Sequence, residues 1–185
     1  MRDMPGLKTA VALAMLAGIV LVVSYAAITK PAPRVVVNAK ELANDVWVTE
    51  QVVPESFADI KARRFESIID LRPDGEELGQ PSSETIAKVA QANGLAFAYV
   101  PVAHGDIPSP PVDALAQSLA LVHKPILLYC RSGKRAARTW ALAEASRVDG
   151  LDAAAIEAAV RSAGQPVDDL SQAIGARIAA RSSSH

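Results

Sequence analysis

The sequence predicts an α/β fold, a mostly parallel sheet with helices on both faces, preceded by one N-terminal transmembrane helix. Three observations point there. Short apolar runs alternate with longer stretches of helical periodicity from Asp45 to Ser146, and strands separated by helices need crossover connections, hence parallel pairing. The run Ile126-Leu127-Leu128-Tyr129 is apolar throughout and stops at a polar turn that opens with Cys130, the single cysteine. A strand buried on both faces has this pattern. Finally, no charge interrupts residues 10–28, about the length a helix needs to cross a bilayer.

Bulk properties narrow the function classes. With 185 residues the chain holds one compact domain and an appendage, too little for two full-sized domains. Its 19 basic and 20 acidic residues leave a net charge of −1, so no global field recruits nucleic acid or an acidic surface. A lone cysteine excludes an intramolecular disulfide and any cysteine-rich metal site. His104, His123 and His185 lack ligand spacing, and neither a metal nor another cofactor is expected.

Residues 1–29 form a unit of their own. Arg2 and Lys8 precede the apolar run and Lys30 follows it. The run is longer than a signal-peptide core, which favours an uncleaved anchor; a signal peptide cleaved near Ser24-Tyr25-Ala26 is the alternative. The short basic tail before the span favours a single-pass inner-membrane protein with its domain on the periplasmic side, although Lys30, Arg34 and Lys40 behind the span balance the count. Residues 30–44 read as a stiff stalk, since Pro31 and Pro33 resist helix continuation.

A catalytic domain is expected over residues 45–148. Val46–Thr49 is its first strand. Pro54 suits the first turn of a helix that points Phe57, Ala58 and Ile60 inward as far as Arg63. Ser67–Leu71 is the second strand, broken by Arg72-Pro73-Asp74-Gly75. Ser82 or Ser83 caps a helix carrying Ile86, Val89 and Ala90, closed by Asn93-Gly94. Leu95–Val100 is the third strand. A loop over Pro101–Pro110 leads to a helix over Val112–His123 with Leu115, Leu119 and Val122 on one face, and Pro125 opens the central strand. Beyond Arg135 an alanine-rich run without Gly or Pro continues as helix through Ala145. Residues 149–185 form a helical tail. In it Asp152 caps a helix with Ile156, Ala159 and Val160 in a stripe, Gly164-Gln165-Pro166 stops it, and Asp168–Arg181 is a second helix with Leu170, Ile174 and Ile178. Both helices are expected to pack on the domain.

Ligands of parallel sheets sit at the carboxyl ends of the strands, where the loops Arg72–Gln80, Pro101–Pro110 and Cys130–Arg135 converge. A short loop running into a helix start gathers backbone N–H groups on one point and adds positive potential there. Cys130 at that point reads as a nucleophile, because Arg131, Lys134 and Arg135 crowd the loop with cations that have no role in a core. Arg135 offers a planar fork to an oxyanion, and Gly133 lets the backbone bend without a Cβ clash. Arg131, Ser132 and Lys134 complete the anion-binding loop. Arg72 directly follows a buried strand, so it is either a further substrate-binding residue or the partner of Asp74, Glu76 or Glu77.

Cys130-Arg131-Ser132-Gly133-Lys134-Arg135 resembles the active loop of rhodanese-type sulfur transferases, in which Cys and Arg bracket four residues. The related loop of tyrosine and dual-specificity phosphatases brackets five, with His before the Cys; here Ala136 stands at the position of the phosphatase Arg and Tyr129 at that of the His. Together with Asp45-Val46-Trp47-Val48-Thr49, the block Ser67–Glu77 and Gly79-Gln80-Pro81-Ser82-Ser83, the loop is similar to the phosphatase-like domain of the beta-lactamase hydrolase-like family. The resemblance runs from about Asp45 to Ser146. It implies the Cys-phosphatase-like fold with a shorter, rhodanese-like loop. It also implies Asp106 as general acid, in a loop comparable to the one that bears the phosphatases' acid; a solvent-exposed turn aspartate is the alternative.

The leading expectation is a membrane-anchored sulfur transferase. Cys130 takes the outer sulfur of thiosulfate or a low-molecular-weight persulfide, and Arg135 with the loop amides holds the Cys130 persulfide until a thiol removes it. The alternative is phosphoester hydrolysis through a Cys130 phosphoenzyme with Asp106 as acid, and a second alternative is a non-catalytic anion- or partner-binding module. The expected partners are a small anionic sulfur donor or phosphoester, a thiol acceptor, and a lipid bilayer through residues 10–28.

Overall fold

In the computed structural model of the protein, residue 15 and residues 35–182 are described. Apart from Met15, the anchor expected at residues 10–28 lies outside the described residues, as do the start of the expected stalk and the last three residues of the tail. Among the described residues no helix is long and apolar enough to cross a membrane.

A hairpin precedes the expected strand–helix alternation. β1 (Lys40–Ala43) and β2 (Val46–Thr49) pair antiparallel across Asn44-Asp45, both at positive φ, 52° and 62°. Asn and Asp enter that region more readily than most residues, and a two-residue turn built on it matches the twist of the strands it joins. β1 corrects the stalk expected over residues 30–44. Val37, Ala39 and Leu42 are buried, so the chain joins the core inside that stretch.

From β2 onward strands and helices alternate: α1 (Phe57–Ala62), β3 (Ser67–Asp70), α2 (Ser83–Ala92), β4 (Ala96–Tyr99), α3 (Ser109–Leu121), β5 (Ile126–Tyr129) and α4 (Lys134–Ser146). The helices α5 (Ala153–Ser162) and α6 (Ser171–Ser182) follow. The sheet runs β1-β2-β5-β3-β4, with every pair but the first parallel. β5 takes the centre because all of its residues are buried. Ile126 and Leu128 belong to the layer that includes Leu115 of α3, Trp140 of α4, Ile156 of α5 and Ile174 of α6. Leu127 and Tyr129 belong to the other, against Phe57 and Ile60 of α1 and Ile86 and Ala90 of α2. Ala58, expected inward, is exposed; Phe57 and Ile60, three residues apart, already define the inward face of so short a helix.

The tail braces the helix that follows the cysteine. Arg181 of α6 donates to the carbonyls of Glu144 and Arg147 at the end of α4, at 3.2 and 2.9 Å, and to those of Gly150 and Leu151. The last carbonyls of a helix have no partner within it, and a cation suits their negative end.

Candidate active site

β5 ends at Tyr129 and delivers Cys130 at the carboxyl edge of the sheet, 1 % exposed and packed with the same layer as Leu128. The loop is held from both neighbouring strands. Gln51, beyond β2, donates its backbone N–H to the Arg131 carbonyl at 3.3 Å, and Leu71, beyond β3, donates to Tyr129 at 2.9 Å. Gly133 closes the loop at φ 82° as the residue before α4. A Cβ there would also lie 3.2 Å from Gln165 Nε2 and 3.3 Å from the Thr49 carbonyl, so the turn needs glycine for both conformation and space.

Arg135, in the first turn of α4, is buried with its guanidinium beside the Cys130 sulfur. Its Nη1 donates to Glu76 Oε1 and to the Val102 carbonyl, both at 2.6 Å, and its Nη2 donates to Glu76 Oε2 at 2.7 Å. A guanidinium carries five N–H bonds. Nε–H and the second Nη2–H are therefore left for the Cys130 side and for a bound anion. Glu76 thus aims the arginine without consuming it. Burial works against the charge on Arg135, but Glu76 and Cys130 outweigh it and the guanidinium holds its proton more tightly than usual.

Glu76 is shared. Arg72 donates to it through Nε at 3.1 Å, and through its other nitrogens to Glu77 at 3.1 Å and to Gln51 Oε1 at 2.7 Å. The hydrogen bond from Arg135 is the strongest influence on Glu76, ahead of the burial that opposes it and the bond from Arg72, and lowers its pKa to about 2. Arg72 thus lies one step back from the cavity, engaged by Glu76 and Glu77, while Asp74 instead accepts from the Ser83 backbone and hydroxyl at the start of α2. Below this layer Asp70, buried at the end of β3, accepts from the Arg72 backbone N–H at 2.8 Å. Burial raises its pKa to about 6. The Tyr129 hydroxyl lies beside it, with no hydrogen bond of good geometry, and burial first and the Asp70 charge second oppose its ionisation.

A cavity of about 400 Å³ opens over the loop, walled by Arg131, Ser132, Lys134, Arg135, Arg138 and Asp106 among others. Asp106 is exposed on that wall, and His104 stands 3.9 Å from Glu76. A second cavity of about 260 Å³ lies at the amino edge, between α3 and α4, with walls that include Val46, Ala116, Leu119 and Trp140. It is mostly apolar and lies at the opposite edge of the sheet from Cys130.

The structure therefore brings Asp106, Arg131, Ser132, Lys134 and Arg135 around one space, with Cys130 buried at the start of the same loop and Gly133 at its turn. Several participants escape the sequence. Gln51 lies beyond a strand end with no motif around it. Arg138 and Asp169 meet in the cavity wall at 2.6 and 2.7 Å, and Gln165 donates to the Ser132 carbonyl at 3.2 Å; nothing local marks these tail residues as neighbours of the loop.

Comparison with known proteins places this site. A family model for the phosphatase-like domain of beta-lactamase hydrolase-like proteins matches residues 38–147. Beta-lactamase hydrolase-like proteins of Xylella fastidiosa and Agrobacterium fabrum are 35% and 34% identical over 103 and 108 residues. The aligned regions cover 56% and 58% of this chain but 23% and 25% of those proteins, so the chain spans about a quarter of the length of the curated relatives it matches. Among solved structures, a phosphatase candidate from Neisseria meningitidis aligns with a TM-score of 0.65 at 24% identity, covering 75% of this chain and 96% of that one. The core catalytic domain of the PP-IP phosphatase SIW14 from S. cerevisiae aligns at 0.53 and 18% identity, covering 83% of this chain and 96% of its own. These structures share the fold: a mostly parallel sheet flanked by helices, as in Cys-dependent phosphatases. With more than half of its residues matched by the family model, the chain belongs to the family of beta-lactamase hydrolase-like phosphatase-like domains.

Proposed function

We propose that the chain is a thiol-dependent hydrolase of phosphoesters, with Cys130 as nucleophile. One observation carries this: at the carboxyl edge of the sheet Cys130 opens the loop whose Arg131 and Arg135 line a cavity together with Asp106. That set matches a substrate that is anionic where it is attacked and needs a proton where it leaves. The Cys130 sulfur attacks phosphorus, the ester P–O bond breaks, and Asp106 passes a proton to the departing oxygen. Water then attacks phosphorus, the S–P bond breaks, and phosphate and the thiol are restored. Arg135 holds the equatorial oxygens through its two uncommitted N–H bonds, with the loop amides completing the ring. The family's phosphatase-like domain and the phosphatase names of the structural neighbours support the proposal.

The loop itself favours a second reading, sulfur transfer. Four residues separate Cys130 from Arg135, and Ala136 stands where phosphatases carry their arginine. The thiolate would attack the outer sulfur of thiosulfate, the S–S bond would break and sulfite would leave with the electron pair. An acceptor thiolate would then take the outer sulfur and regenerate Cys130. No acid is needed on that route. The anchor at residues 10–28, with the domain on the periplasmic side, stays part of the proposal, and a reporter enzyme fused after His185 reads the side directly.

The test uses the chain beside its Cys130→Ser variant. An aryl phosphate is expected to be turned over by the first and not the second, with a phosphate adduct on Cys130 in the intact mass after rapid quenching. Turnover that survives Cys130→Ser overturns the proposal. A gain of one sulfur from thiosulfate, without aryl phosphate turnover, transfers the site to the second reading.

A further inference from the structure

Lys134 and Arg138 stand one turn apart on α4, so their side chains share a face about 5 to 6 Å apart at Cβ. Both line the cavity over the loop. Neither is needed for a single phosphoryl group held by Arg135 and the loop amides. Arg138 is already chelated: Asp169 accepts from Nη1 and Nη2 at 2.6 and 2.7 Å, the two-point geometry a phosphate edge also adopts against arginine. Lys134 also acts on Asp169, holding its carboxyl further into the charged form. Asp169 is 67 % exposed, on a short turn of the tail at residues 168–170, so an incoming anion can replace it with little burial lost.

Resting on the phosphoester proposal above, we infer that Lys134 and Arg138 form a second phosphoryl seat beside the first, occupied at rest by the Asp169 carboxylate. The substrate is then a small molecule with two phosphoryl groups about one helical turn apart, one at Cys130 and Arg135, the other displacing Asp169 from Arg138. Arg131, 59 % exposed and 3.6 Å from Glu77, adds charge at the entrance. A substrate with one phosphoryl group fills only the first seat.

Titration calorimetry on the Cys130→Ser chain tests this with inorganic phosphate and tripolyphosphate, whose terminal groups span a similar distance. Tripolyphosphate is expected to bind about tenfold more tightly than phosphate, the yield of one further charge-assisted pair. Arg138→Gln is expected to erase most of that preference with phosphate affinity kept, and Lys134→Gln to weaken tripolyphosphate more than phosphate. Asp169→Asn is expected to tighten tripolyphosphate alone. Lys88→Gln, an exposed charge on α2, controls for net charge. The inference is overturned if phosphate binds and tripolyphosphate binds no better, or if Lys88→Gln costs as much as Arg138→Gln. If phosphate itself does not bind, the phosphoester proposal fails and the second seat fails with it.

Discussion

Arg135 and Arg138 are three residues apart on one helix, and each holds a carboxylate in both arms of its fork at 2.6 and 2.7 Å. The pairs differ in their surroundings. Glu76 is 16 % exposed and is shared with Arg72, while Asp169 is largely in water. Attraction between the same charges is several times stronger where protein replaces water, and so is the cost of leaving one unpaired. The inner pair is therefore a fixture that orients Arg135, and the outer pair is an exchangeable contact. Equal geometry, read without burial, would assign them one role.

The largest expected effect falls on the inner arginine. Arg135→Lys keeps the charge but loses the fork, so it cannot bind Glu76 at two points and still present donors to a substrate. Its kcat/KM on an aryl phosphate is expected to fall about 10²- to 10³-fold. Arg138→Lys on the same substrate is expected to change little, because one phosphoryl group does not reach it. Equal losses at both positions would erase the distinction between inner and outer pairs.

Glu76→Gln separates them in stability. It leaves the buried Arg135 guanidinium with a neutral partner, while Arg72 keeps Glu77, and a loss of roughly 2 to 4 kcal/mol in urea unfolding is expected at pH 7. The pH profile of the unaltered chain carries the same information. Glu76 has a folded pKa of about 2, below its unfolded value near 4.5, so the unfolded chain binds the proton first as pH falls. The stabilisation from this pair is complete above about pH 5 and is lost between there and about pH 2. Asp70 runs the other way. Its folded pKa of about 6 lies above its unfolded value near 3.8, so its burial costs little below about pH 4, costs progressively more up to about pH 6, and levels off above that. Glu76→Gln is expected to flatten the acid limb below pH 5 and leave the Asp70 limb intact.

Gly133→Ala strikes the joint between the two pairs. At φ 82° an alanine is strained, and its Cβ would press on Gln165 of the tail and Thr49 of β2. A cost of about 1 to 3 kcal/mol is expected in urea unfolding, with aryl phosphate turnover reduced because the loop amides move. Unchanged stability would mean that the tail yields at Gln165 and does not hold the loop.

What the sequence shows of this arrangement is what local pattern can encode. β5 and the turn after it are legible because an apolar run, a cysteine, a glycine and an alanine-rich helix stand in consecutive order. The caps at Ser82 and Asp152 are legible for the same reason, and both accept from a backbone N–H three residues on. β1 is hidden because Lys40-Glu41-Leu42-Ala43 carries charge on an edge strand, and only the Asn44-Asp45 turn marks it. The clasp of Glu76 on Arg135 joins residues 59 apart in sequence, and that of Asp169 on Arg138 residues 31 apart. No spacing announces such pairs, since they exist only once the sheet has brought loop, helix and tail to one edge.

The smallest effect is expected at Asp169. Asp169→Asn removes a carboxylate that water already solvates, so its loss is expected to change unfolding free energy by less than about 1 kcal/mol, and less still at high salt. The residue does not touch the first phosphoryl seat, so aryl phosphate turnover is expected to stay within about twofold of the unaltered chain. Urea unfolding at low and at high salt checks the first expectation, and initial rates check the second. A loss of several kcal/mol that salt does not reduce would make the outer pair a fixture like the inner one. Arg138 would then be unavailable to any substrate, and the cavity would offer a single anion seat.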